Sequence, residues 1–386
     1  MRRGTIVLLL FILVVAIIIG TSQFLQSQPP TTLRIAVSPL IEDWAQAAID
    51  AYNATNPIVN THRIRFVVEP VEDTSVWLDD GTARREWTSG SHPAAWIPAW
   101  STSVNYARER MPFEFVVPSL GRTLLVWGGF RSRVDALTDG GVAFDWDRIA
   151  GAAAQGSWGV INPNAGFSGN FTLAFNRPNQ TMSGFAVLLS GAAAYRSTAD
   201  LTSSDLASPD YRTWMQPVLE SVPNFNTLGA SPAETIAARG ETVGELALVP
   251  ESEWLKNLRG RLINSDDPVV LSYPAFPFVF DFPLAVWAEP TTPATPPPIS
   301  AADTQTAVGA LANWLLAPAQ QARLADFGLR PPQGARAETL PAEDAALFVT
   351  GANYGAQLLP DMTTPIQAPS RSDLQRLLSW ANAYIR

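Results

Sequence analysis

Hydrophobic positions along the chain follow two rhythms that alternate. Leu33-Arg34-Ile35-Ala36-Val37 reads as a strand, broken by Ser38-Pro39. From there Ile41, Trp44, Ala45, Ala48, Ile49 and Tyr52 recur at the spacing that lines one face of a helix. Ile64, Phe66 and Val68 alternate as a second strand. A third, Ala94 to Ile97, leads through Pro98-Ala99-Trp100 to Ser101-Thr102, the expected cap of a helix running to Arg110. Thr123 to Trp127 is strand-like, and Asp145-Trp146-Asp147 opens a short helix. Phe171, Leu173 and Phe175 alternate, and Ser183-Gly184 precedes an apolar helical run to Tyr195. Ser231-Pro232-Ala233-Glu234 combines a hydroxyl cap, Pro at the first helical position and Glu at the third. Leu246 to Val249 and Val269 to Tyr273 are further strands. Val308, Leu311, Ala312, Leu315 and Leu316 mark a helix, Pro318 starts another that Gly328 ends, and a last one runs from about Asp373 to Ile385. Alternating strands and helices predict α/β lobes with mainly parallel sheets.

The N-terminus stands apart from this alternation. Arg2 and Arg3 precede an unbroken apolar run from Ile6 to Ile19, followed by Gly20-Thr21-Ser22 and a polar stretch ending at Pro29-Pro30. An apolar terminal run behind arginines predicts export, as an uncleaved anchor over residues 6–19 or as a cleaved signal. The arginines stay on the cytoplasmic side, which places the body on the extracytoplasmic face of the membrane.

Composition removes whole classes of function. Asp and Glu number 35 against 26 Lys and Arg, for a net charge of −9, so the basic footprint that nucleic acid requires is missing. The chain has no cysteine, which excludes disulfides, thiol catalysis and thiolate metal sites. His62 and His92 are the only histidines available to an acid–base mechanism. Neither a phosphate-binding loop, a dinucleotide fingerprint nor a His-Glu-x-x-His helix is present. Gly166-Phe167-Ser168-Gly169 is only similar to a nucleophile elbow, because its second glycine comes one residue early. The reading is therefore a non-enzyme, with no cofactor and no metal.

What remains is a set of hydroxyl-bearing loops that follow strands and open helices: Ser38, Ser101 with Thr102, Thr181 with Ser183 and Gly184, and Ser231. Each has the form of a helix cap. Taken together they also have the form of a ligand cradle, because ligands of open α/β sheets bind beyond the carboxyl ends of strands, beside helix N-termini. Trp77, Trp87, Trp96 and Trp100 lie close in sequence, as stacking surfaces or as core, and Arg122 is placed to pair an anionic group or a surface acid.

Several segments in order resemble one family. Trp96-Ile97-Pro98-Ala99-Trp100-Ser101-Thr102, Asn176-Arg177-Pro178-Asn179-Gln180-Thr181-Met182-Ser183-Gly184, Asp145-Trp146, Val249-Pro250-Glu251, Tyr273-Pro274 with Asp281-Phe282-Pro283, and Phe327-Gly328-Leu329-Arg330-Pro331 carry the likeness. They are similar to bacterial extracellular solute-binding proteins of the type 2 periplasmic-binding fold, in the molybdate-binding-like group whose relatives are often linked to von Willebrand factor A domains. Thr181 stands where that family has serine, and Pro250 displaces a tyrosine. The metal-ion-adhesion motif Asp-x-Ser-x-Ser is absent.

The resemblance implies a two-lobed fold, each lobe a mainly parallel sheet flanked by helices, joined by a two-strand hinge. Residues 1–30 form the signal or anchor and linker, residues 31–117 with 285–386 the first lobe, and residues 118–284 the second. The implied ligand-binding set is Ser38, Ser101, Thr102, Thr181, Ser183, Gly184, Ser231 and Glu251. The expected ligand is a small polar molecule, oxyanion or sugar-like, passed on to an ABC permease. The alternative is an anchored sensory or scaffold module partnering a von Willebrand-type protein.

Overall fold

Residues 10–15, 29–78, 85, 87–138, 140–141, 144–264, 266–289, 299–332 and 345–385 are described by a computed structural model. Of the apolar N-terminal run, residues 10–15 are helical and largely exposed, and the rest of the expected anchor lies outside the described residues. Among the described residues no helix is long and apolar enough to cross a membrane.

The first half of the chain builds β1 (Thr31–Val37), α1 (Glu42–Ala54), β2 (Ile58–Val59), β3 (His62–Pro70), α2 (Thr74–Trp77), β4 (Ala95–Ile97), α3 (Ser101–Ala107) and β5 (Phe113–Val117). It then crosses to β6 (Thr123–Phe130), α4 (Arg131–Thr138), α5 (Trp146–Gln155), α6 (Trp158–Ile161), β7 (Leu173–Ala174) and α7 (Met182–Arg196). There follow α8 (Ser203–Ala207), α9 (Pro209–Glu220), α10 (Pro232–Arg239), β8 (Leu246–Pro250), α11 (Glu251–Lys256), β9 (Val269–Ser272) and β10 (Val279–Phe280). A second crossing leads to β11 (Leu284–Trp287), then α12 (Ala301–Leu315), α13 (Pro318–Ala322), α14 (Ala346–Ala352) and α15 (Arg371–Ala381).

Two sheets result. One has the order β2-β3-β1-β4-β11-β5, and in the other β6 pairs β8, β9 and β10 while β7 pairs β8. The expected mainly parallel pairing holds where helices intervene, at β1–β3, β1–β4 and β7–β8. The pairings of β11 and β6 are antiparallel, a correction with a topological cause. The chain leaves one sheet along β5 and β6 and returns along β10 and β11, so the return strands lie alongside the outgoing ones in the opposite sense. The two crossings touch, with the Leu120 amide donating to the Phe282 carbonyl at 2.9 Å.

α7 is the interior helix of the second lobe. All of its residues from Met182 to Ala193 are buried, consistent with an apolar surface on every side. Gly184 permits its close approach, because a Cβ there would lie 2.2 Å from the Asn176 carbonyl oxygen. In the first lobe Trp87, Trp96, Phe113 and Trp287 pack edge to face in a separate buried cluster, so Trp87 and Trp96 are core residues.

The C-terminal segment touches both lobes. Gln367 exchanges backbone hydrogen bonds with Ala199 and Leu201, and the Ser203 hydroxyl donates to Asp373 at 2.6 Å. Arg371 Nε reaches the Trp77 carbonyl at 2.6 Å, and the Tyr106 hydroxyl donates to the Pro369 carbonyl.

Candidate functional site

The lobes meet where the chain leaves β3 and where it enters α7. Asp73, fully buried, accepts the amides of Ala99 at 2.9 and 3.0 Å and of Trp100 at 3.3 Å, which fixes the loop between β4 and α3. Its neighbour Glu72 reaches the other lobe, where the amide of Met182 donates to its carboxyl at 3.2 Å. The Thr74 hydroxyl donates to the Gln180 carbonyl at 3.1 Å, and the Trp77 ring meets Phe185 edge to face at 5.5 Å.

On the α7 side Thr181 is the N-cap, its Oγ1 accepting the Gly184 amide at 3.0 Å and lying 3.2 Å from the Ser183 hydroxyl. Ser231 caps α10 by accepting from the Glu234 amide and donates its hydroxyl to Glu253 at 2.6 Å. Carboxyl groups therefore dominate the junction. Burial pushes Glu72 up to about 8, helped by the neighbouring charges of Asp73 and Glu253 and opposed by the Met182 amide. Burial likewise raises Asp73 and Glu253 to about 7.

Beside this junction a cavity of about 580 Å³ is bounded by both crossings, at Val117–Ser119 and at Val279 and Asp281. Trp100, Ser101, Thr102, Arg122 and Gln367 complete its polar and aromatic lining. Asp281 accepts the Ser101 amide at 2.7 Å, and burial raises it to about 6. Ser101 is the first residue of α3 and makes no side-chain cap; Trp100 holds the N-cap position, and the helix ends at Ala107 rather than Arg110.

The expected residues thus fall into separate groups. Ser101 and Thr102 line the hinge-side cavity, while Thr181, Ser183, Gly184 and Ser231 gather at the start of α7 and α10 near Glu72 and Glu253. Ser38 is fully buried at the end of β1, its amide bonded to the Ile97 carbonyl at 2.8 Å. Glu251 is engaged within the protein. Its carboxylate takes Arg330 Nε and Nη2 at 2.7 Å each, together with the Tyr273 hydroxyl. Glu72, Asp73 and Asp281 were not expected in the site; the signal was an acidic pair at a strand end, Val71-Glu72-Asp73-Thr74, and an acid beside a crossing.

No protein-family model matches the chain, and no curated protein matches it in sequence. Solved structures match it in shape. The periplasmic binding protein AfuA from Actinobacillus pleuropneumoniae, with fructose-6-phosphate bound, aligns over 92% of this chain and 98% of its own at a TM-score of 0.53 and 11% identity. Maltose-bound MalE3 from T. maritima aligns over 92% and 99%, with a TM-score of 0.51 and 11% identity. A periplasmic solute-binding protein from Pectobacterium atrosepticum aligns over 92% and 97%, also at 0.51 and 11%. This chain has the type 2 solute-binding fold. The loop after β3 of one sheet and the loop before α7 beside the other meet where Glu72 accepts the Met182 amide.

Proposed function

We propose that the protein is an extracytoplasmic solute-binding protein that captures a small polar solute between its lobes and delivers it to an ABC-type permease. Residues 31–117 with 285–386 form one lobe and residues 118–284 the other, with the C-terminal segment resting on both, and residues 6–19 tether the protein to the membrane. The observation that carries this reading is the junction itself. A loop from one sheet brings Thr74 against Gln180, next to the Thr181 cap in the other, and a cavity bounded by the two crossings is lined by Ser101 and Thr102.

The chemistry of the junction favours a hydroxyl-rich solute over an oxyanion. Glu253 accepts the Ser231 hydroxyl, and Glu72 and Asp281 accept backbone amides, so the site is rich in carboxyl groups, whereas an oxyanion needs donors and positive charge. Trp100, packed on Phe278, forms part of the cavity wall. The bound maltose of one neighbour supports the same class. No side chain here is assigned a catalytic role.

The test is a thermal-shift screen of the full chain in detergent against sugars, amino acids, short peptides and oxyanions. A solute at a thousand times its dissociation constant stabilises by about 4 kcal/mol, a shift of several degrees. A hit among sugars supports the reading. A flat screen on folded protein removes it and leaves the anchored scaffold beside a von Willebrand-type partner, for which the direct contacts of Thr74 with Gln180 and Trp77 with Phe185 speak.

A further inference from the structure

At the junction the 15-residue helix α7 turns its amino end toward the opposite lobe with a partner already in position. Such an end offers unpaired amides and the positive pole of the helix, the usual seat of an acidic group. Here the partner comes from the chain itself. The Glu72 carboxyl accepts the amide of Met182, the first helical residue, at 3.2 Å. Thr74, two residues on, ties the Gln180 carbonyl at 3.1 Å, and Trp77 lays its ring against Phe185. Three consecutive side-chain contacts therefore join residues 72–77 of one lobe to residues 180–185 of the other.

We propose that Glu72 is a built-in occupant of the α7 amino end, a clasp that closes the lobes on each other and bars oxyanions from that position. The proposal deepens the solute-binding reading, since it names what the cleft refuses. Asp73 cannot take over the role, because both its oxygens are held by the amides of Ala99 and Trp100. Glu253 is held by the Ser231 hydroxyl at 2.6 Å. A hydroxyl-bearing solute is compatible with Glu72 in place, because the carboxyl keeps further acceptor capacity beyond its one amide.

The experiment compares the full chain with Glu72→Ala, Glu72→Gln and Thr74→Val, without solute, by small-angle X-ray scattering, and titrates each with inorganic sulfate by calorimetry. The wild type is expected to be compact and to ignore sulfate. Glu72→Ala is expected to have a larger radius of gyration and a sulfate affinity at least about ten-fold above any the wild type shows, a gain of roughly 1.4 kcal/mol. Glu72→Gln keeps an acceptor for the Met182 amide and stays compact. Thr74→Val keeps Glu72, loses the neighbouring contact and opens part of the way, which provides a readout should Glu72→Ala fail to fold. Equal radii for the wild type, Glu72→Ala and Thr74→Val overturn the clasp, as does sulfate binding to the wild type as tight as to Glu72→Ala. Because the scattering uses no solute, a flat solute screen removes the transport reading and leaves the clasp standing.

Discussion

Arg330 and Glu251 form a two-point ion pair, with Nε and Nη2 of the arginine each 2.7 Å from a carboxylate oxygen, and both side chains are almost wholly buried. Arg330 also donates to the carbonyls of Gln357 and Leu358 at 2.6 and 2.9 Å. One guanidinium thus joins α11 to the chain that follows α13 and to the segment leading toward α15. Burying such a pair gains little over an apolar replacement, but removing one partner leaves a buried charge without compensation.

Arg330→Met is accordingly expected to cost about 3–5 kcal/mol, a loss that unfolds the chain at markedly lower denaturant. Glu251→Gln, which keeps the shape and removes the charge, is expected to cost a similar amount. Equilibrium urea unfolding checks both. If Glu251 instead served mainly a ligand, Glu251→Gln would leave stability unchanged.

Glycine substitutions separate packing from helix propensity. A Cβ at position 184 meets the Asn176 carbonyl oxygen at 2.2 Å, and at position 128 the Trp254 ring at 2.4 Å, so Ala at either position forces backbone or ring to move. Each is expected to destabilise by roughly 1–3 kcal/mol. Gly309, inside α12 with open space around it, is the control: Gly309→Ala is expected to stabilise by about 0.5–1 kcal/mol. Thermal unfolding of the three variants reads both signs.

The pH dependence follows from the buried acids. Glu72, Asp73 and Glu253 are all raised by burial, to about 8, 7 and 7. The charges acting on Glu72 are those of Asp73 and Glu253; Lys256 and Glu234 act in turn on Glu253, and Asp281 acts on Asp73. A carboxyl whose folded pKa exceeds its unfolded value binds its proton more tightly when folded. The stability it confers is therefore full below about pH 4, is lost as pH rises through the folded value, and is level above about pH 8. The melting temperature is expected to fall between pH 5 and pH 8, and Glu72→Gln with Glu253→Gln to flatten that fall. A melting temperature that rises over this window contradicts the assignment.

Much of the fold was legible because it rests on local rules. The helical spacing from Ile41 to Tyr52 became α1, and Ser231-Pro232-Ala233-Glu234 became the capped start of α10. Asp145 caps α5 by accepting the Arg148 amide, as its Asp-Trp-Asp start implied. The sense of the crossing strands was not legible, since antiparallel return depends on where β10 and β11 come back in space. The site was legible in part. Hydroxyls at Thr181 and Ser231 do cap helices at the junction, but the acids there lie more than 20 residues away in sequence, Glu253 from the Ser231 hydroxyl and Glu72 from the Met182 amide. Glu251 looked available because nothing near it in sequence foretold Arg330, whose partnership spans 79 residues.

The most direct measurement is hydrogen–deuterium exchange of the full chain with and without a saturating solute from the screen. A solute held between the lobes protects residues 72–77 and 99–102 in one lobe together with 180–184 in the other, all by the same solute at the same concentration. Protection confined to one lobe, or absent from both despite saturation, contradicts binding between them.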